Sequence, residues 1–272
     1  MLMELSENDE TLESRNCEKH GAYQAKVGVV KMINRKFETG CPSCATEKRQ
    51  SDESKNNVRK IGETQDKFTA ALTASGIPKR FLNRTFDNFE QITFSQKSNH
   101  KKVKTYADNF AEHRNMGTSL IFSGDVGTGK NHLAAALANQ VIKNKFTVCF
   151  TTVRRAIRKV KSTWSGKPKL TEEEVLDQFI RVDLLVLDEL GVQFDSDAER
   201  LILFDILNAR YENMKPTVIM SNLPLAAPPE DPDQKTVKSI LGIRLTDRLR
   251  EDEGNALIFQ GDSYRGKKRA AS

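Results

Sequence analysis

Apolar and polar positions are patterned most regularly from about residue 119 onward. The run SLIFSG predicts a buried strand, a glycine-rich loop follows it, and KNHLAAALANQVIKN carries apolar residues at helical spacing. Two later apolar runs, DLLVLDEL over 183–190 and PTVIMSN over 216–222, predict two more buried strands. Strands that alternate with helices predict an α/β fold, in which a parallel sheet is flanked by helices.

The part of the chain before residue 79 follows a different pattern. Residues 45–75 carry many charges and few apolar positions, which predicts an exposed linker that becomes helical toward its end. Gly76-Ile77-Pro78 ends that helix, because proline disfavours helical geometry at the residue before it. The spacing of Phe81, Phe86 and Phe89 then predicts packing against a larger body.

Length and charge restrict the class of protein further. The 272 residues carry a net charge of +6, and this basic balance favours a polyanionic partner. No window approaches the roughly 18 apolar residues that a membrane span requires. The N-terminus is acidic and polar, without the basic start and apolar run of a secretory signal. We therefore expect a soluble, cytoplasmic protein with reduced cysteines and no membrane partner.

Three cysteines and one histidine are spaced like the ligands of a metal site. Cys17 and His20 in CEKH, and Cys41 and Cys44 in CPSC, form two pairs with two intervening residues each. Two such pairs about twenty residues apart match tetrahedral zinc and resemble a zinc ribbon, and a closed site of four ligands has a structural role. The alternatives are unligated cysteines or a disulfide. Cys149, in an apolar run, is predicted to be a core residue.

The stretch GDVGTGKNHL has the spacing of a phosphate-binding loop, although Asn131 stands where that pattern calls for Ser or Thr. Between a strand and a helix, the backbone N–H groups of such a loop and the positive end of the helix surround phosphates, and Lys130 offers a cation. The predicted nucleotide-binding residues are Gly124, Asp125, Val126, Gly127, Thr128, Gly129, Lys130, Asn131 and His132.

Polar residues at the ends of the next two strands predict the rest of that site. Asp188 is expected to hold Mg²⁺ directly or through water, and Glu189 to orient or deprotonate the attacking water. Taken alone, this pair would be a strand end turning into solvent, but the phosphate loop favours the catalytic interpretation. Asn222 follows the third strand, and ligands of parallel sheets bind at the carboxyl ends of strands, so its amide is expected to contact the terminal phosphate or the water.

Two basic segments predict contacts with other molecules. Arg244 and Arg248 lie one turn apart in a predicted helix, KSILGIRLTDRLRE, which in a ring or spiral can insert an arginine into the neighbouring subunit's site. Residues 153–169 hold seven Lys or Arg and no acid, as a surface that binds phosphates does.

The predicted DNA-binding residues in that second segment are Arg154, Arg155, Arg158, Lys161 and Trp164, with the indole stacking on an unpaired base. In the competing interpretation, Val153, Ile157, Val160 and Trp164 form one helical face that packs in the core.

The chain resembles the AAA+ ATPases, and closely resembles their DnaC-type helicase loaders, from about residue 76 to residue 266. Five segments carry this resemblance: GDVGTGKNHLAAAL, VDLLVLDELGVQ, IMSN, GIRLTDRL and GDSYR. DnaC-type proteins are similar in carrying Asn directly after the lysine, so Asn131 implies a specialised site with slow turnover. There its carboxamide oxygen would face Mg²⁺ or the waters of that ion.

The resemblance also implies a role for each remaining site residue. Lys130 contacts phosphate, Asp188 and Glu189 form the Walker B pair, and Asn222 is the sensor after the next strand. Arg248 (or Arg244) is the inter-subunit arginine finger, and Arg265 in DSYR is the second sensor.

The implied function is that of an ATP-dependent loader, which places a DnaB-type hexameric helicase on single-stranded DNA while its own subunits form a ring or spiral. The familiar members show no zinc cluster, so residues 1–50 are predicted to be a zinc-binding, partner-docking domain. Residues 51–78 would be a linker with a helix, 79–266 the AAA+ ATPase domain, and 267–272 a basic tail. The alternatives are an IstB-type transposition helper ATPase and a zinc-dependent nucleic-acid-binding regulator with a vestigial nucleotide site.

Overall fold

The computed structural model describes residues 11–30, 35–166, 168–192, 196–250, 256–261 and 263. The chain divides into two compact units, Met1–Lys67 and Phe68–Ser272. Among the helices of the described residues, none is both long enough and apolar enough to span a bilayer.

The first unit contains a three-stranded antiparallel sheet. Its strands are β1 (Thr11–Cys17), β2 (Gly21–Val30) and β3 (Arg35–Glu38), in that spatial order. Among the residues described in this unit, Ala25 and Cys41 are the buried apolar side chains. A sheet with so small a core depends on another source of stability, such as a bound metal.

Helix α1 (Pro42–Ala74) begins in the first unit with proline at its first position, where the missing N–H costs nothing. It is continuous over nearly all of the segment that the sequence predicted as an exposed linker becoming helical only toward its end. The reason is composition, because Lys, Arg, Glu, Gln and Ala are strong helix formers even without an apolar face. The division into two units falls after Lys67, inside the predicted linker 51–78.

A five-stranded parallel sheet forms the centre of the second unit and confirms the predicted fold class. The strands are β4 (Leu120–Gly124), β5 (Val148–Thr152), β6 (Leu184–Leu190), β7 (Thr217–Ser221) and β8 (Ala256–Phe259). Their spatial order is β5-β6-β7-β4-β8, and every neighbouring pair is parallel. The carboxyl end of β7 therefore lies between those of β4 and β6.

Helices cover both faces of this sheet, because successive side chains of a buried strand point in opposite directions. In β4, Phe122 joins a core cluster with α2, α3 and α4, whereas Ile121 joins a second cluster with α5 to α8. Phe86 and Phe89 are buried in the first cluster, as predicted. The helices are α2 (Phe94–Asp108), α3 (Phe110–Met116), α4 (Lys130–Lys143), α5 (Val153–Lys161), α6 (Glu172–Ile180), α7 (Asp197–Glu212) and α8 (Val237–Leu249).

Helix α8 is not the single uninterrupted helix that the sequence predicted. Gly242 adopts φ 75° and ψ 163°, which no α-helix contains, so α8 consists of two segments joined at a kink. Glycine alone takes this conformation without steric cost. Arg244 and Arg248 both follow the kink and remain one turn apart.

Arg210 of α7 is a fully buried side chain that joins three elements of the second unit. Its guanidinium donates hydrogen bonds to the Thr217 hydroxyl and to the carbonyl oxygens of Phe179, Ile180, Val182 and Pro216, over 2.5–3.0 Å. Burial lowers the pKa of this guanidinium to about 9. Arg210 thereby satisfies the carbonyls at the end of α6 and fixes α7 to the start of β7.

Replacing Arg210 with Met leaves several of these buried carbonyls without a donor, at a cost of about 1–3 kcal/mol for each group. We expect the free energy of unfolding of the second unit, measured by guanidinium titration, to fall by at least ~3 kcal/mol. Arg181→Met is the matched control, because the Arg181 side chain is 79% exposed and its ion pair with Asp177 is worth ~0.5 kcal/mol or less. Equal losses in the two variants would contradict the role of Arg210.

Candidate functional site

The glycine-rich loop connects β4 to α4 and is closely surrounded by backbone and aromatic atoms. Gly124 has φ 128°, and a Cβ there would lie 2.1 Å from the carbonyl oxygen of Phe259. Gly129 has φ 109°, and its Cβ would lie 2.7 Å from the Phe89 ring. Only glycine fits at these two positions. The loop continues directly into the N-terminus of α4, where backbone N–H groups are available to bind an anion.

Lys130, the first residue of α4, is 5% exposed, and its ammonium lies at the centre of this loop. The Nζ atom donates to the carbonyl oxygens of Gly124 and Asp125, each at 2.7 Å. The Thr128 hydroxyl donates to the same Asp125 oxygen at 2.7 Å. These bonds hold the cation inside the turn that the sequence predicted to bind phosphate.

Asn131 joins the loop to the end of β6. Its side-chain amide Nδ2 donates to Asp188 Oδ2 at 2.5 Å, and the backbone N–H of Glu189 donates to Asp188 Oδ1 at 2.7 Å. Burial is the main cause of a raised pKa at Asp188, and the two hydrogen bonds oppose that effect. The predicted magnesium ligands, Asn131 and Asp188, are thus in direct contact.

Glu189 lies in an irregularity of β6 that turns its side chain outward. The register with β7 shifts between Leu187 and Leu190, and Glu189 itself has φ 61°. A non-glycine residue in this left-handed region is strained, and such residues concentrate at functional sites. The bulge exposes the Glu189 carboxylate at the carboxyl edge of the sheet, beside Asp188.

Two serine hydroxyls connect the strand ends on which the site is built. Ser221, the last residue of β7, donates to the carbonyl oxygen of Leu190 at 2.8 Å, and Ser123 of β4 donates to that of Leu223 at 2.7 Å. Between these anchors, Asn222 is exposed at the same edge as Asp188. Sequence reasoning assigned no role to Ser123, and the only signal for it was a hydroxyl near the end of an apolar strand.

Two histidines and an aromatic ring brace the segment before α2 against the loop. His132 Nε2 lies 2.9 Å from the carbonyl oxygen of Thr85, and its ring packs edge-on against Phe89 at 5.0 Å. His100 stacks on Phe89, with ring centroids 5.7 Å apart. Burial lowers the pKa of His132, and a carbonyl only accepts, so Nε2 carries the proton and donates. Sequence reasoning assigned His132 to nucleotide but did not identify this brace.

The two candidate arginine fingers have different surroundings. Arg244 is exposed. Arg248 is half-buried, donates to Asn208 Oδ1 of α7, and has its guanidinium 5.0 Å from the centre of the Tyr211 ring. Arg265, predicted to be the second sensor, lies outside the described residues, as does the tail 267–272.

The basic helix α5 exposes three of its predicted DNA-binding residues, Arg154, Arg155 and Arg158. Lys161 instead forms an ion pair with the buried Glu199, with Nζ and Oε1 2.9 Å apart. The core face of α5 consists of residues such as Val153, Ile157 and Val160, which are buried as expected.

Trp164 does not belong to that core face. Helix α5 ends at Lys161, so the helical spacing that placed Trp164 with the buried residues does not continue to it. The side chain is 52% exposed, and its indole N–H donates to Glu172 Oε2 at 2.5 Å. The packing interpretation is therefore wrong for Trp164.

The four predicted zinc ligands converge in the first unit. Their ligand atoms all lie within 4.8 Å of one another. The Sγ atoms of Cys17, Cys41 and Cys44 lie 3.8, 3.7 and 3.3 Å from His20 Nδ1, and Cys17 and Cys44 are separated by 3.6 Å. Zinc–sulfur bonds of about 2.3 Å give a tetrahedron with edges of about 3.8 Å, so the four atoms fit this ion. No disulfide joins Cys17, Cys41 and Cys44 in this structure, which favours the metal site over the disulfide alternative.

Neighbouring groups orient His20 and favour the thiolate of Cys17, whereas the contact with Cys17 raises the pKa of Cys44 to about 11. His20 Nε2 lies 3.0 Å from Glu47 Oε1 in α1, an outer carboxylate of the kind that orients metal-bound histidine. The backbone N–H groups of Lys19 and His20 lower the pKa of Cys17 to about 6, which favours its thiolate. The group therefore has the donor set, the spacing and the outer partner of a structural zinc site.

Comparison with known proteins gives one family and several similar chains. The model of the IstB-like ATP-binding protein family matches residues 59–272. The chain is 38% identical to the replicative helicase loader DnaC of Buchnera aphidicola subsp. Baizongia pistaciae, over 74% of this chain and 77% of that protein. It is 32% identical to DnaC of Escherichia coli K12 over the same shares. A crystal structure of the DnaC helicase loader matches with a TM-score of 0.57 and 26% identity, covering 67% of this chain and all of that one.

We expect the purified chain to contain about one zinc ion per molecule, because the four ligand atoms close a tetrahedral site. Cys41→Ser removes a buried ligand and should lower the zinc content several-fold by mass spectrometry. Cys149→Ser, a matched change in β5 of the other unit, should leave it unchanged. A wild-type protein purified without zinc, or equal losses in both variants, would contradict the assignment.

Proposed function

Because the chain belongs to the IstB-like ATP-binding protein family, we propose that it is an ATP-dependent loader of a DnaB-type hexameric helicase onto single-stranded DNA. The observation that carries this proposal is a P-loop site in contact with Asp188, within a chain up to 38% identical to named helicase loaders. The family itself supports ATPase activity in general, and its members lead us to expect ATP and Mg²⁺.

The residues proposed to act in ATP hydrolysis come from three places, which are the glycine loop with the start of α4, the end of β6 and the end of β7. The loop N–H groups would bind the phosphates, and the Lys130 ammonium would turn to them from the two carbonyls to which it donates. Mg²⁺, when bound with ATP, offsets phosphate charge, and Asp188 with Asn131 beside it would hold that ion. The exposed Glu189 carboxylate would orient or deprotonate the attacking water, and Asn222 would contact that water or the terminal phosphate.

Hydrolysis in this proposal requires a neighbouring subunit. Arg248 already contacts Tyr211 and Asn208 of its own subunit, and inserting it elsewhere would break both contacts. Arg244 is exposed on the same helix and loses nothing by reaching across a subunit boundary. We therefore favour Arg244 as the arginine finger of a ring or spiral that forms on the helicase.

The first unit is proposed to dock the helicase, with zinc fixing its strands to the start of α1. Deleting residues 1–50 should abolish co-purification of the chain with a DnaB-type hexamer in ATP, while ATP binding persists because the P-loop site lies in the other unit. Retained complex formation would contradict the docking role. A tagged transposase serves as the competing bait, and its capture in place of the helicase would favour the IstB-type transposition helper.

Arg244→Ala should lower the ATPase rate of the assembled protein by about tenfold or more, since fingers contribute roughly 10³–10⁵ where measured. Its ATP affinity and melting temperature should stay unchanged, because the side chain is exposed. Arg248→Ala is the comparison variant, and should lower the melting temperature through the loss of its contacts with Tyr211 and Asn208. If the ATPase rate of Arg244→Ala rises with protein concentration as it does in the wild type, Arg244 is not the arginine finger.

The exposed arginines of α5 and the indole of Trp164 are proposed to bind single-stranded DNA. Trp164→Ala should weaken that binding about tenfold, since stacking contributes about 1–3 kcal/mol per base, while Trp164→Phe should retain most of the affinity. The chain contains one tryptophan, so fluorescence quenching on adding DNA reports this contact directly. Unchanged DNA affinity together with a lower melting temperature in Trp164→Ala would contradict the stacking role.

A further inference from the structure

Asp188 receives a hydrogen bond on each of its two carboxylate oxygens. One donor, Asn131 Nδ2, comes from the first turn of α4 at 2.5 Å. The other, the Glu189 backbone N–H, comes from the bulge of β6 at 2.7 Å. Two donors on separate elements fix both the position and the rotation of this carboxylate.

The contact also determines how the Asn131 carboxamide is turned. An ionised carboxylate only accepts hydrogen bonds, so the amide nitrogen must face Asp188 and the amide oxygen must point away from it. A Ser or Thr at this position would offer a hydroxyl oxygen, which is the usual P-loop ligand of Mg²⁺. Asn131 presents a donor to Asp188 where that hydroxyl would present an acceptor to the metal.

We propose that Asn131 is a positioning residue that fixes Asp188 by donating to it, and that it replaces a direct protein ligand of Mg²⁺. This inference rests on the proposed ATP site, and it adds that Asn131 weakens metal binding and slows hydrolysis at that site. Mg²⁺ held by Asp188 would meet a carboxylate whose two oxygens already accept hydrogen bonds, and position 131 would offer it no hydroxyl ligand. The site therefore binds the metal less tightly and hydrolyses ATP more slowly than it would with threonine at position 131.

A measurement without Mg²⁺ and without nucleotide tests the contact itself. Asn131→Ala should lower the melting temperature by about 3 °C in the wild-type background, because the half-buried Asp188 carboxylate loses a donor. In an Asp188→Ala background the same change should have little effect, since the acceptor is absent. Equal losses in the two backgrounds would overturn the proposal. This arm holds even if the chain fails to bind ATP, a result that would refute the proposed function instead.

A metal titration tests the consequence. Mn²⁺ replaces Mg²⁺ as the probe, and electron paramagnetic resonance measures its affinity for the complex of the protein with a non-hydrolysable ATP analogue. Asn131→Thr should tighten Mn²⁺ binding about fivefold and raise kcat, with little change in the KM for ATP, because the hydroxyl oxygen adds a metal ligand that the Asn131 amide nitrogen does not offer. Unchanged or weaker Mn²⁺ binding in Asn131→Thr would overturn the proposal, and weaker binding would identify the Asn131 carboxamide oxygen as a metal ligand.

Discussion

The candidate site depends on a set of hydrogen bonds that hold three strand ends together at one edge of the parallel sheet. Ser221 joins the end of β7 to Leu190 of β6, Ser123 joins β4 to Leu223, and Asn131 joins the glycine loop to Asp188. Since β7 lies between β4 and β6, these bonds bring residues from distant parts of the sequence to one edge. Catalysis by positioned charges requires this kind of fixed arrangement, because groups already in place need no reorganisation during the reaction.

This arrangement agrees with the proposed role as a nucleotide switch with slow turnover. Asp188 is half-buried and accepts from two donors, and Glu189 is exposed by a strained bulge. As the proposed arginine finger, the exposed Arg244 would need a second subunit to meet a phosphate. A site completed at a subunit boundary couples nucleotide state to assembly. In the proposed helicase loader, slow hydrolysis would give the assembled state a long lifetime.

Much of the fold and of the candidate nucleotide site could be predicted from the sequence. The glycine loop and the apolar strands are local patterns that only a few structures satisfy. The cluster of three cysteines and one histidine was equally predictable from two short spacings. The roles of Ser123, Arg210 and the brace of His132 against Phe89 could not be predicted, since each depends on residues that are distant in sequence. Helical spacing also led to two interpretations that the structure does not support. The kink at Gly242 interrupts a helical period, and Trp164 continues the period of α5 although that helix has already ended at Lys161.

The proposed function requires that a triphosphate binds on the loop before α4 and that residues at the neighbouring strand ends contact its phosphates or its metal. The most direct measurement is a crystal structure of the full chain with Mg²⁺ and a non-hydrolysable ATP analogue. We expect the backbone N–H groups of Gly127–Lys130 to donate hydrogen bonds to the phosphates. Lys130 should turn from its two carbonyls toward the phosphates, and Asp188 should face the metal. A loop that excludes the analogue, with Lys130 still bound to Gly124 and Asp125, would contradict the proposed function.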